Sequence, residues 1–442
     1  MTVWDFIERI FRKKPNKERQ TKYEEYSSEY SDIEKPINVT AIFANSLSKK
    51  ITTESDLDIN GDTARSAVIA DAMAVVWGKK KKITAQALGK GGVFLVPYVS
   101  GGKMFVDSVE QSLVYIDQMR GEDIVSATFC ADRLYINNLL YYRLVDYTLE
   151  NNQQVIRTRV VNQNGSERPL EDFPMWADIE PEIVIGNVEK SLFGFLRCSV
   201  DNRRNKDSYG VPITYGCGEM IKEFEDHLKL TAREYKLTAP MLGLDSRMWA
   251  NKELTKTVQD KDRPFVKTYN AGTDKMWEIY APEIRGTAMY LRYDALASAI
   301  EKAVGTSRGI LTDPKTEGAT ATEIKQAQYD TFCLVSDMRE QWEIAVRDLC
   351  YAIDVLAEYY GLSPAGGRGS YEIKFSWDYS MYESSAETWQ QMSELQSRGG
   401  IRLARLNQWV TGQTLEEAQA EIDEVTANEP TLEKVLGISN TV

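Results

Sequence analysis

The stretch that decides the fold is 281–330, APEIRGTAMYLRYDALASAIEKAVGTSRGILTDPKTEGATATEIKQAQYD. From about Arg285 to Val304, Met289, Leu296, Ile300 and Ala303 share one helical face, and Gly305 stands where a left-handed residue ends a helix. Three glycines and Asp313-Pro314 between Gly305 and Gly318 then predict a loop. Thr320 with Glu323 three places on is a capping-box signature. The helix it opens carries Ile324, Ala327, Thr331, Leu334, Met338, Trp342, Ala345, Leu349, Ile353, Leu356 and Tyr360 at intervals of three and four, until Gly361-Leu362 gives a Schellman-type stop. About forty residues at 1.5 Å each span roughly 60 Å. That length predicts a strut and not the core helix of a compact enzyme.

Upstream, Ile221, Phe224, Leu228 and Ala232 mark a helix over 218–236. Between Pro240 and Pro282 the pattern breaks into strands at 241–244, 265–269 and 276–280, with a short helix over 246–254. Helix, small mixed insert, helix predicts an antiparallel pair capped by a compact tip. Further upstream, a helix over 63–74 closed by Gly78 precedes Lys79–Lys82, read as a solvated loop, and then short β-type runs from Gly92 to Val161. At the N-terminus, Val3, Phe6, Ile7, Ile10 and Phe11 form a stripe before a basic cluster, read as an arm that docks on a neighbouring subunit or on the body of the fold. Downstream come a strand over 371–377, a helix over 384–398, and a helix from about Leu403 to Val425 interrupted near Gly412. The predicted class is α+β, predominantly helical.

Composition narrows the chemistry. The chain has 442 residues, a formal charge of -13, one histidine and five cysteines without a CxxC pair. Multi-histidine metal sites are therefore out of reach, and neither a disulfide framework nor a zinc site is indicated. His227 lies on the 218–236 helix and is assigned no chemistry. No phosphate loop, HExxH helix or GxSxG elbow occurs. Carboxylate pairs such as Asp58 with Asp62, or Glu417 with Glu421, are commonplace in a chain with 66 acids. The expectation is a protein without catalytic residues, metal or cofactor. No run of about 18 apolar residues predicts a membrane span, and an acidic balance argues against tight, indiscriminate nucleic-acid binding.

Several motifs carry a resemblance. Ala281-Pro282-Glu283-Ile284-Arg285, Val304-Gly305-Thr306-Ser307, Thr320-Ala321-Thr322-Glu323-Ile324, and Ser397-Arg398-Gly399-Gly400-Ile401 leading into Thr414-Leu415-Glu416-Glu417-Ala418 are similar to the pattern of the portal proteins, or head-to-tail connectors, of long-tailed double-stranded DNA bacteriophages. The resemblance covers roughly residues 60 to 430 and implies a portal-type fold with wing, stem, clip and crown. Carried onto this chain, it implies an N-terminal arm over 1–59, the first part of the wing over 60–215, stem helices over 216–239 and 283–304, and the clip over 240–282 between them. A tunnel loop over 305–319, the rest of the wing over 320–378 and a crown over 379–442 complete it. The crown is short for the family.

Functionally the resemblance implies a homo-oligomeric ring, usually of twelve subunits, at one vertex of the virion capsid and assembled in the host cytoplasm. Double-stranded DNA would be packaged and ejected through it. The implied partners are other copies of the chain, DNA, terminase, the major capsid and scaffolding proteins, and a head-completion or tail adaptor, with no membrane. The implied tunnel-loop residues are Gly305, Thr306, Ser307, Arg308, Asp313, Pro314, Lys315 and Thr316, in a loop expected to be mobile. Arg292, Lys302, Arg308 and Lys315 are the candidate channel-lining cations, with pairing to Asp294, Glu301, Asp313 or Glu317 as the alternative. Trp249, Phe265, Tyr269 and Trp277 are the candidate clip contacts. Two rival classes are a soluble helical enzyme with an unrecognised site and another ring-forming tail or collar adaptor.

Overall fold

The computed structural model describes residues 30–35, 37–61, 63–121, 123–136, 138–177, 179–203, 209–238, 241–244, 277–280, 283–314, 321–362, 367–377, 385–411 and 414–428. Two compact units emerge, Met1–Ser376 and Trp377–Val442. The first opens with helix α1 (Val39–Thr52), whose N-cap Asn38 accepts from the Ala41 amide at 2.9 Å and which buries Phe43, Leu47 and Ile51 completely. Strand β1 (Ser55–Asn60) follows. The arm expected over 1–59 is thereby corrected at its C-terminal end: its last third is part of the body, because that apolar stripe has a helix surface to cover.

Helix α2 (Ala64–Gly78) is capped by Thr63, and α3 (Lys80–Lys90) begins after a single residue. The solvated loop expected at 79–82 is therefore mostly the first turn of a helix. Ile83, Thr84, Ala87 and Leu88 are buried and hold it in place, while the Lys80 ammonium reaches the Ser55 carbonyl and lies 4.9 Å from the Trp77 ring centroid. Packing overrides the poor match between lysines and the positive end of a helix dipole.

Strands β2 (Gly92–Ser100) and β3 (Lys103–Glu110) form a hairpin. Next come β4 (Val114–Arg120), β5 (Asp123–Ile136), β6 (Leu139–Glu150) and β7 (Gln153–Asn162), an antiparallel meander in which β8 (Glu167–Arg168) and β9 (Glu182–Gly186) both pair with β7. Strand β10 (Gly194–Arg197) returns to the other side of β2, placing Phe195 opposite Phe94. Those two rings stack at 4.1 Å, and Phe94 also meets Phe129 and Phe193 edge-on.

Helix α4 (Gly218–Leu237) leads to β11 (Met241–Leu244), which pairs antiparallel with β12 (Trp277–Tyr280) before α5 (Gly286–Val304) returns. The strand expected at 265–269 and the helix at 246–254 lie outside the described residues. Helix α6 (Ala321–Tyr359) is 39 residues long. It ends as a Schellman motif: the Leu362 amide donates to the Ala357 carbonyl at 2.9 Å and the Gly361 amide to Glu358 at 3.1 Å. Strand β13 (Glu372–Trp377) pairs with β1.

The expectation that α6 is purely a strut is corrected by its C-terminal half. From Leu349 to Ala357 every residue but the half-buried Tyr351 is buried, so this stretch, unlike the turn before it where Ile344 and Arg347 reach solvent, is covered on every side and serves as the core helix of the unit. Ala352, Val355 and Leu356 join the cluster formed by Phe94, Phe129, Tyr147 and Phe193. Trp342 is also fully buried, donating its indole N–H to Thr84 at 2.8 Å and meeting Trp77 edge-on. A buried ion pair joins Arg65 of α2 to Asp354 at 3.2 Å, and the other Asp354 oxygen accepts the Gly369 amide at 2.8 Å. Removing either charge would leave the other buried and uncompensated.

The second unit holds α7 (Ser385–Ser397), α8 (Leu403–Thr411) and α9 (Leu415–Asn428). Thr414 and Glu417 form a reciprocal capping box: the Thr414 amide donates to the Glu417 carboxylate at 2.9 Å and the Glu417 amide to the Thr414 hydroxyl at 3.3 Å. Hydrogen bonding from the Thr414 backbone, and secondarily from its side chain, holds the Glu417 carboxyl below its ordinary value.

The docking of β10 on α6 depends on Gly194, where a Cβ would lie 2.5 Å from the Ala345 carbonyl oxygen and 3.1 Å from Leu349 Cβ. Gly194→Ala is expected to destabilise the protein by about 1–3 kcal/mol through overpacking. Thermal denaturation checks this, and an unchanged midpoint would show that the strand does not rest on the helix there.

Candidate functional site

The candidate site is the hairpin of α4 and α5 with the loop that leads from it towards α6. At its base, Ile221 and Phe224 are buried, as are Ala297, Ile300 and Val304, and Phe224 meets the Tyr293 ring at 5.1 Å. Higher up, His227 is buried on the seam with Nε2 2.9 Å from the Met289 carbonyl, which fixes Nε2 as the donor. Its Nδ1 is buried with no partner among the described residues. Arg285 grips Glu234 with two bonds of 2.9 Å, and Arg292 reaches Glu223 at 2.7 Å. Both pairs clasp α5 to α4, and the Arg285 guanidinium draws the Glu234 carboxyl below its usual range.

Gly305 ends α5 at φ 84°, with its own amide donating to the Lys302 carbonyl and that of Thr306 to the Glu301 carbonyl. Only glycine adopts that conformation without steric cost. The Glu301 side chain, 1% exposed, then organises the loop. Amides of Gly309, Ile310, Leu311 and Thr312 donate to its Oε1 at 3.2, 2.8, 2.7 and 3.2 Å, and the Thr312 hydroxyl donates to Oε2 at 2.6 Å. Successive amides converging on one anion make a nest, and these donors offset the cost of burying a carboxylate. The Ser307 amide donates to Thr331 Oγ1 of α6 at 2.9 Å, Tyr293 donates to the Leu311 carbonyl at 3.3 Å, and Arg308 binds Asp294 and Ser298. Burial, with the Asp313 and Glu301 carboxylates nearby, pushes the Tyr293 phenol up.

The mobile loop expected over 305–318 is thus corrected in its first half: 305–312 is tied to α5 and α6. Thr306, Ser307 and Thr312 are buried, Arg308 is half-buried, and Asp313 and Pro314 are exposed. Of the candidate cations, Arg308 pairs with Asp294 and Arg292 pairs across the seam, while Lys302 is exposed and makes no ion pair among the described residues. Lys315, Thr316, Trp249, Phe265 and Tyr269 lie outside the described residues, and Trp277 is placed only as backbone of β12. Glu301 is the site residue that sequence reasoning missed. An acid in the last turn of a helix, opposed to the helix dipole and followed by a glycine-punctuated loop, is the signal that finds it.

Among the described residues, no group of three or more His, Cys, Asp or Glu side chains is placed to hold a metal, and no helix is long and apolar enough to cross a membrane. All five cysteines are free thiols; burial pushes Cys130 up to about 11 and Cys198 and Cys350 up to about 12.

No family model and no curated protein matches this chain. A solved structure described as "Neck of native GTA particle computed with C12 symmetry" aligns over 85% of this chain and 90% of that one, at 10% identity and a TM-score of 0.38. That likeness is too low to establish a shared fold.

Glu301→Ala is expected to raise amide hydrogen exchange at 309–312 and to cost about 3 kcal/mol or more, since each buried donor left unpaired costs about 1–3 kcal/mol. Glu301→Gln, which keeps an uncharged acceptor, is expected to lose less. Exchange measured by mass spectrometry alongside chemical denaturation checks both, and unchanged protection in the alanine variant would show that the loop is held by other contacts.

Proposed function

We propose that the chain is a bacteriophage portal protein, a non-enzymatic ring through which double-stranded DNA enters and leaves a capsid. The observation that carries this reading is the order of parts from 218 to 359: two antiparallel helices joined through a small strand pair, a loop at the base of the second, and a 39-residue helix. On this reading α4 and α5 are the stem, 240–282 the clip that meets terminase and then a head-completion or tail protein, 305–319 the tunnel loop, and 379–442 the crown. Residues 60–215 with α6 and β13 form the wing. Scaffolding and major capsid proteins would meet the ring during assembly in the host, and the virion would be its final location.

Charge supports a conduit. With -13 on each subunit, the wall of a ring of about twelve copies would repel DNA except where local cations intervene. Of the three described candidate cations, the pairing of Arg292 with Glu223 and of Arg308 with Asp294 leaves Lys302 free to face a phosphate.

Native mass spectrometry with negative-stain imaging tests the reading: the purified protein is expected to form a ring with a central hole, and a monomer or dimer would overturn it. Within a ring, deleting 307–317 together with Glu301→Ala is expected to spare assembly and impair DNA packaging or retention. The alanine is included because the deletion alone would strip a buried carboxylate of its donors. Normal packaging by that variant would sink the tunnel-loop role.

A further inference from the structure

The second unit is unbalanced in both charge and apolar burial. Its 66 residues, 377–442, hold eleven acids against four bases, so seven of the thirteen net negative charges of the chain sit there. Among the described residues it buries only three apolar side chains, Ala404, Leu406 and Ala418, two of them alanines. The described helices therefore lack the apolar core that a unit of this size needs.

The missing burial is visible on the surface. On α9, Leu415, Ala418, Ile422 and Val425 recur at three, four and three, yet only Ala418 is buried. Ile422 is half-buried, and Leu415 and Val425 are 45% and 58% exposed. On α8, Leu403 and Val410 are 49% and 58% exposed near the two ends of the helix. The Asn407 side chain donates to Glu421 at 3.1 Å, which folds α9 back along α8 and brings Val425 level with Leu403.

We propose that the second unit docks a basic amphipathic helix of a partner protein, laid along the α9 stripe. This surface is independent of the portal reading, which gives it no role. Spacing fixes the shape of the occupant. Apolar residues at three, four and three form the narrow seam that one further helix covers by inserting its own side chains between them. Charge fixes its sign. Glu421 and Asp423 stand on either side of Ile422, with Glu417 and Glu424 further round, all four exposed, and α9 contains no lysine or arginine. The hydrogen bonds these acids accept come from neutral groups: Glu417 from the Thr414 amide, Glu421 from Asn407, and Asp423 from Gln419 at 2.9 Å. Among the described residues no lysine or arginine pairs with any of the four. A helix with lysines or arginines flanking its stripe would therefore gain charge pairs on both sides of the seam. A second copy of this unit is disfavoured by the same field, since each copy brings a surplus of seven negative charges to the contact.

Fluorescence anisotropy with the full-length protein tests this. The probes are two synthetic peptides of helical pattern, one of leucine and lysine and the other of leucine and glutamate, each about 18 residues long so that a helix can form. The lysine peptide is expected to bind at least about tenfold more tightly than the glutamate peptide, and to weaken as salt is raised. Leu415→Ser with Val425→Ser changes two exposed side chains, so the melting temperature is expected to hold while affinity for the lysine peptide falls at least about tenfold. Asp423→Asn with Glu424→Gln is expected to weaken the lysine peptide and to flatten its salt dependence. Equal affinity for the two peptides would overturn the proposal. So would tight binding of the lysine peptide that neither pair of substitutions alters, which marks general attraction to an acidic protein. If the serine pair instead lowers the oligomeric state seen by native mass spectrometry and the lysine peptide does not bind, the stripe is a contact between copies. If the peptide binds only once 429–442 are removed, the chain's own end covers the stripe. Either result overturns the partner helix, and the portal reading stands or falls by ring formation in the unsubstituted protein alone.

Discussion

The burial of α6 on every side from Leu349 to Ala357 is the constraint from which the rest of the first unit follows. A helix apolar all round cannot be satisfied by one neighbour, and here α1, α2, β2 and β10 each cover part of it. The polar groups on that surface find partners elsewhere in the chain: Trp342 in Thr84, Asp354 in Arg65 and Gly369, and Arg339 in the Ile51 carbonyl at 3.2 Å. Each joins α6 to a different part of the chain. The helix is therefore both the axis of the core and the frame that carries its N-terminal end out to the Ser307 amide, which Thr331 accepts.

At that outer end the energetics change from apolar burial to the placement of charge. Glu301 is an acid at the unfavourable end of α5, buried in a protein that is already strongly acidic. It is tolerated because the following loop turns its amides inward, so the loop's conformation and the carboxylate's burial are one event. Lys50 of α1 belongs to the same electrostatic neighbourhood: burial draws its ammonium down, and the nearby Glu301 opposes that. A segment that by sequence belongs to an arm thus helps to enclose the site.

Much of this was legible in the residues. The helix boundaries at 218, 286, 304 and 359, the glycine stops and the strand-rich stretch from Gly92 to Asn162 follow from periodicity and turn chemistry, which are local properties. The errors share one cause. Residues 39–59 read as part of an arm and 79–82 as a loop because their own composition is ambiguous; α1 and α3 are held by contact with each other and, for α1, with α6. Likewise, α6 has the same three-and-four repeat along its length whether one face or the whole circumference is buried, so its role as a core helix could not be read from the repeat alone.

By itself, the sequence determined that this chain would alternate long amphipathic helices with short strands, lack the residues for multi-histidine metal chemistry, and place a glycine-punctuated loop between its second hairpin helix and its longest one. Only tertiary structure decided that the loop is tied to Glu301, that Arg292 and Arg308 are paired with Glu223 and Asp294, and that the ends of the α9 stripe stay exposed. The reason is range. Helix and turn signals act between residues three or four apart, whereas the partners of a buried carboxylate or an exposed guanidinium are chosen by which surfaces the packing of α4, α5 and α6 brings together.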